Sequence, residues 1–162
     1  MTFETSAVRL WKRLSREDRL TAATAFWKEP PQEALGLALG AVVKARKLRP
    51  QVARTLPEGE RARALAGVLD PGEPLAASLL VALHLDARRP LLGAFLDALG
   101  LAHENGILKE ESDAAAPPTR EAVQGALKAL QPFPPHEIEV YFNTLFLQDP
   151  SRWAVLAEAT LS

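Results

Sequence analysis

Three histidines are the residues best suited to chemistry in a chain that contains no cysteine. His136 is followed at helical spacing by Glu139 and Asn143, His84 interrupts an apolar segment two residues before Asp86, and His103 leads directly into Glu104 and Asn105. An imidazole beside carboxylates offers general acid–base catalysis or ligands for a divalent metal. A zinc site needs three or four convergent ligands at recognisable spacing, and neither His-Glu-x-x-His nor His-x3-His occurs. The expectation is no metal and no cofactor, each histidine serving a helix end or a core hydrogen bond. If a polar ligand pocket forms between helices, His84, His103, Glu104 and Asn105 are the residues expected to line it.

Nucleophilic chemistry has no local signature. The chain lacks a Gly-x-Ser-x-Gly elbow, a phosphate-cradling glycine-rich loop and a dinucleotide fingerprint. Without cysteine, disulfides, thiol nucleophiles and thiolate metal sites are excluded. Paired carboxylates such as Glu110-Glu111 and Glu137/Glu139 lie on polar segments and read as solvated. An acid–base site assembled from distant residues leaves no trace in sequence, so the reading leans away from an enzyme without closing the question.

Binding residues are easier to nominate. Residues 44–54 hold the densest positive cluster, with Arg46, Lys47, Arg49 and Arg54 as the candidate contacts beside Lys44. Such clusters neutralise phosphates in nucleic-acid binders. Here no aromatic side chain is interleaved, the net charge is −1, and the cluster coincides with a helix C-terminus, where cations are favourable in any case. Weak nucleic-acid binding is therefore the third reading. The segment 135–147 contributes Tyr141, Phe142 and Phe146 on a broad apolar side, and aromatic anchors are enriched in interfaces. The competing reading of that helix is that the first and last helices cover both its faces.

These residues must be positioned by helices. Thirteen prolines fall where helices begin or end and none inside a helical apolar pattern, as a residue lacking an N–H and clashing with the preceding turn should. Apolar spacing predicts helices over about 6–14, 16–29, 32–48, 58–69, 75–87, 90–104, 120–130, 135–147 and 150–160, with one further short turn over 50–56. Ser15 with Asp18, Thr119, and Asp149 before Pro150 supply N-terminal caps. Residues 75–87 are apolar almost all round, so that helix is expected at the centre. Asn105-Gly106 is read as a helix-ending left-handed signal. Gly36-x3-Gly40 is read as a flat patch for a packed neighbouring helix. A faint repeat relates residues 92–99 to 123–130 at a 31-residue offset, the kind of period seen in helical-hairpin arrays.

The expected fold is all-α: about eight short antiparallel helices in a multi-helix bundle or short α-α superhelical array. A length of 162 residues fits a single domain, 1–162, with a mobile loop at about 108–118. The longest apolar runs reach about half the span of a bilayer, and the first residues lack a secretory pattern, so a cytoplasmic protein is expected. Charge is uneven: residues 1–81 carry 13 Lys/Arg against 9 Asp/Glu, and residues 82–162 carry 6 against 11. The paucity of Asn, Met and Cys fits either thermophily or a GC-rich genome. The leading functional reading is a non-catalytic helical interaction or scaffold module. Its expected partner is another protein or a second copy, with nucleic acid less favoured and no membrane. The alternative is a small-ligand protein or enzyme with a polar site between helices.

Overall fold

The computed structural model describes residues 1–109 and 117–160. Residues 110–116, inside the loop expected at 108–118, lie outside the described residues. The fold is all-α. Ten helices occur among the described residues: α1 (Ala7–Arg13), α2 (Arg16–Lys28), α3 (Gln32–Arg46), α4 (Pro50–Thr55), α5 (Glu58–Ala66), α6 (Glu73–Ala87), α7 (Arg89–Ala98), α8 (Arg120–Ala129), α9 (Pro135–Gln148) and α10 (Pro150–Thr160). Prolines sit at their starts: Pro50, Pro135 and Pro150 are first residues, Pro74 and Pro90 second, and Pro31, Pro57 and Pro134 occupy the cap. At those positions the missing N–H has no helical acceptor to lose.

Two compact units emerge, Ser6–Ala87 and Met1–Thr5 with Arg88–Ser162. They divide the charge of the chain as well. The first holds 13 basic against 9 acidic residues, a balance of +4, and the second 6 against 11, a balance of −5.

In the unit Ser6–Ala87, α6 is central, as its near-continuous apolar surface requires. It packs against α1, α2 and α3, while α5 lies on α2 and α3, and α4 on α3. Leu75, Ala76, Leu79, Leu80 and Leu83 of α6 are buried, with Leu10, Trp11, Phe26 and Leu65 from its neighbours. The Trp11 indole N–H donates to the Val68 carbonyl at 2.8 Å, so its polar edge is satisfied inside the core. Phe26 meets Trp27 edge-on at 5.2 Å, and the Arg61 guanidinium lies over the Trp27 ring at 4.8 Å.

Helix ends are satisfied by side chains. Ser6 accepts the Arg9 N–H, and Ser15 accepts the Asp18 N–H at 3.0 Å. Helix α1 has no acidic residue in its own first turn. Glu73 supplies one from the start of α6: its carboxylate accepts the Ser6 hydroxyl and the backbone N–H groups of Ala7, at 2.8 Å, and Val8. One anion thereby serves the positive end of α1 as well as that of its own helix. The Ser6 hydroxyl foremost, helped by those two N–H groups and Arg9, holds the Glu73 carboxyl below the usual glutamate range. A depressed folded-state value means stability present above the unfolded value, about 4.3, and lost as pH falls through the folded one. Glu73→Gln should therefore flatten the acid limb of the stability–pH curve below about pH 5. The loss at pH 7 should stay under about 1 kcal/mol, because the carboxylate is exposed. Urea midpoints measured from pH 7 to pH 3 check this, and parallel curves for both proteins would remove Glu73 from the role.

In the second unit, α7 packs on α8, α10 packs on both α8 and α9, and a small hairpin lies on α7. The helices carrying the faint repeat, α7 and α8, are thus direct neighbours. Phe95 is the hub, with ring centroids at 4.9 Å from Phe142, 5.7 Å from Tyr141 and 6.0 Å from Trp153. The expected Asp149 cap of α10 forms: its Oδ1 accepts the Arg152 N–H at 3.2 Å and the Ser151 hydroxyl at 2.8 Å. The buried Asn143 side chain acts as a peptide group would. Its Oδ1 accepts the Glu4 N–H at 2.7 Å, and its Nδ2 donates to the carbonyls of Thr2 and Glu139. This amide helps to hold the first residues in place, as does the Phe3 ring against Phe146.

One expectation needs correction. Asn105-Gly106 does not end a helix; it forms the two-residue turn of an antiparallel hairpin, β1 (His103–Glu104) pairing with β2 (Ile107–Leu108). Both turn residues have positive φ, 54° and 90°, as a type I′ turn demands. The left-handed preference of Asn-Gly was legible, but Gly100, φ 71°, ends α7 instead. Its N–H bonds the Asp97 carbonyl and that of Leu101 the Leu96 carbonyl, a Schellman closure.

Candidate functional site

The basic candidates lie where α3 stops and α4 starts. Arg46 is the last residue of α3, Lys47 follows in the left-handed conformation at φ 51°, and Arg49 caps α4, which contains Arg54. Lys47 is one of two non-glycine residues with positive φ among those described. The turn survives because the Leu48 N–H bonds the Val43 carbonyl at 3.0 Å, closing the helix end as a glycine there would. Lys44, Arg46, Lys47, Arg49 and Arg54 are all exposed, and none has an ion-pair partner among the described residues. Between Glu33 and Glu58 the chain contains no carboxylate.

Two apolar residues of α3 and α4 are exposed. Leu37 is 50% exposed and Val52 43%. A Cβ added at Gly36 or Gly40 would meet nothing within 4 Å. Among the described residues no neighbour packs against Gly36 or Gly40, contrary to the packing role read from Gly36-x3-Gly40. Residues 34–43 of helix α3 are an uninterrupted run of apolar residues and glycines, yet the buried residues of the helix are Ala34, Ala38 and Val42. The signal was present in the sequence as a second long apolar run, residues 34–43, in addition to that of α6.

The aromatic candidates are placed differently. Tyr141 and Phe142 are 4% and 0% exposed and pack on Phe95, and Phe146 is half-buried with Phe3 edge-on at 5.7 Å. Tyr141 and Phe142 pack inside the second unit rather than offering a free face. Burial pushes the Tyr141 hydroxyl well above the usual phenol range, so it stays neutral at physiological pH.

The polar candidates fall in separate units. His84 is buried in α6 of the unit Ser6–Ala87, its Nδ1 at 2.8 Å from the Leu80 carbonyl. Facing a carbonyl, that nitrogen is the one assigned the proton. His103, Glu104 and Asn105 belong to the hairpin on α7. His103 Nδ1 accepts the Gly106 N–H at 3.1 Å, and Nε2 donates to Asp97 Oδ1 at 2.7 Å. Both ring nitrogens are engaged in fastening the hairpin. Arg89 adds a hydrogen bond to the Asn105 carbonyl at 2.6 Å. A Cβ at Gly106 would lie 2.9 Å from Leu92 Cβ, so glycine is required there for room as well as for φ. His136 is exposed in the first turn of α9. Among the described residues no three His, Asp or Glu side chains converge to hold a metal, and no helix is long and apolar enough to cross a membrane.

A different cluster was not singled out from sequence. Arg16 and Arg19 of α2 and Arg63 of α5 surround a hollow of about 210 Å³ floored by Leu20, Ala66 and Gly67. The i, i+3 pair on α2 is visible in the chain, but Arg63 joins it only because α5 packs on α2. Compared with known proteins, the chain matches no family model, no curated protein and no solved structure.

Proposed function

We propose that this protein is a non-catalytic helical interaction module that docks an acidic amphipathic helix of another protein on α3 and α4. The observation that carries this reading is that exposed Gly36, Leu37 and Gly40 on α3 are followed along the chain by five exposed cations without an ion-pair partner among the described residues, with no carboxylate before Glu58. Glycine inside a helix costs about 1 kcal/mol relative to alanine. Gly36 and Gly40 meet no packed neighbour among the described residues, whereas a flat stripe lets a partner helix approach closely. The cations beyond it would meet carboxylates on the partner and speed encounter through long-range attraction. Leu37 and Val52 would supply the apolar contacts that set affinity.

A fluorescent helical peptide alternating leucine and glutamate faces tests this, with a DNA oligonucleotide of equal charge as competitor. The peptide should bind with an affinity that falls as salt rises, and Arg46→Glu with Arg49→Glu should weaken it more than tenfold. Leu37→Ser should weaken it without changing the salt dependence. Gly36→Ala with Gly40→Ala should raise the stability of the free protein by up to about 2 kcal/mol while reducing peptide binding. Tighter binding of the oligonucleotide, or indifference of the peptide to Leu37 and the glycines, would replace this reading with a nucleic-acid-binding one or remove it.

A further inference from the structure

We infer that the hollow between α2 and α5 binds a phosphate monoester carried on a small, largely apolar body. Three guanidinium groups around one hollow repel one another unless an anion lies among them. Among the described residues, the one carboxylate paired with any of the three is Glu60, on Arg63. The volume of about 210 Å³ is below the roughly 300–1,000 Å³ of pockets for larger organic ligands, so the ligand is small.

Each arginine contributes differently. Arg19 is already fixed: its Nη1 donates to the Leu14 carbonyl at 2.6 Å and its Nε to the Ala66 carbonyl at 3.2 Å. A side chain pinned in advance loses little freedom when a ligand arrives. Arg16 opens α2, where the helix dipole also favours an anion, and it is exposed without a partner among the described residues. Arg63 is held by Glu60 in a pair exposed on both sides, which contributes little and can be exchanged for a ligand oxygen. Leu20 is 39% exposed and, with Ala66, gives the organic body an apolar surface.

The count of cations selects the anion. A carboxylate has two oxygens and satisfies one guanidinium fork. A phosphate monoester carries a charge approaching −2 at neutral pH and three terminal oxygens, enough for several forks at once. This site is separate from the α3–α4 surface and stands or falls independently of it.

Phenyl phosphate, inorganic phosphate and benzoate titrated at constant ionic strength into the isotope-labelled full chain provide the test. Phenyl phosphate should shift the Leu20 and Gly67 amide signals saturably, with a Kd of about 1 mM or tighter, and the other two should bind more weakly. Arg16→Gln should weaken phenyl phosphate at least tenfold, and Leu20→Ser should bring it down to the affinity of inorganic phosphate. Arg46→Gln should change nothing. Arg16 is preferred to Arg19 for substitution, because Arg19 also holds the ends of α1 and α5. Absence of saturable shifts at Leu20 and Gly67, benzoate binding as tightly as phenyl phosphate, or equal losses in the Arg16 and Arg46 variants would overturn the assignment.

Discussion

Leu79→Asp should abolish folding of the unit Ser6–Ala87. Leu79 is fully buried in α6, the helix against which α1, α2 and α3 all pack. A carboxylate there would either be ionised without a partner, at a cost of several kcal/mol, or be protonated with a comparable penalty for an unbonded polar group. Removal of the leucine also leaves a cavity, and Leu→Ala changes in such places already cost about 2–5 kcal/mol. Against a typical total of about 5–15 kcal/mol, the sum is disabling. Circular dichroism should show a large loss of helical signal, or the chain should be recovered only as aggregate. A soluble protein with native helicity and a nearly unchanged urea midpoint would mean that α6 is not central.

Phe95→Ala should be the most damaging single truncation in the second unit, by about 3–5 kcal/mol. Phe95 is fully buried and touches the rings of Tyr141, Phe142 and Trp153, so one deletion strips contacts from both α9 and α10. The perpendicular arrangement with Tyr141, at 89°, is a favourable edge-to-face geometry that area alone does not capture. Phe146→Ala is the matched comparison, since Phe146 is half-buried and its ring partner is Phe3. Its effect should be clearly smaller. Urea denaturation with unchanged slopes measures both, and equal losses would show that Phe95 is not the hub.

The helices of this protein were legible in its sequence, and for a local reason. Proline positions, the Ser15, Thr119 and Asp149 caps, and 3.6-residue spacing act within one turn of the chain, so they need no knowledge of distant neighbours. The charge division was legible too, and it follows the boundary between the two compact units. The exposed basic cluster over residues 44–54 could be nominated because cations at a helix end have few ways to become buried.

What neighbours decide was not legible. Helices α3 and α6 both carry long apolar runs, yet α6 is packed by α1, α2 and α3 while α3 leaves Gly36, Leu37 and Gly40 exposed. Tyr141 and Phe142 could have faced a partner; Phe95, distant in sequence, draws them inward. Asn105-Gly106 specified positive φ, but the room beside Leu92 and the bonds from His103 and Arg89 made a hairpin of it. The arginine hollow exists only because α5 lays Arg63 beside α2. Sequence determined which segments coil and, except at the end of α7, about where they stop, since backbone sterics and capping are short-range. Tertiary packing alone determined which face of each helix meets the core, because that depends on competition among surfaces far apart in the chain.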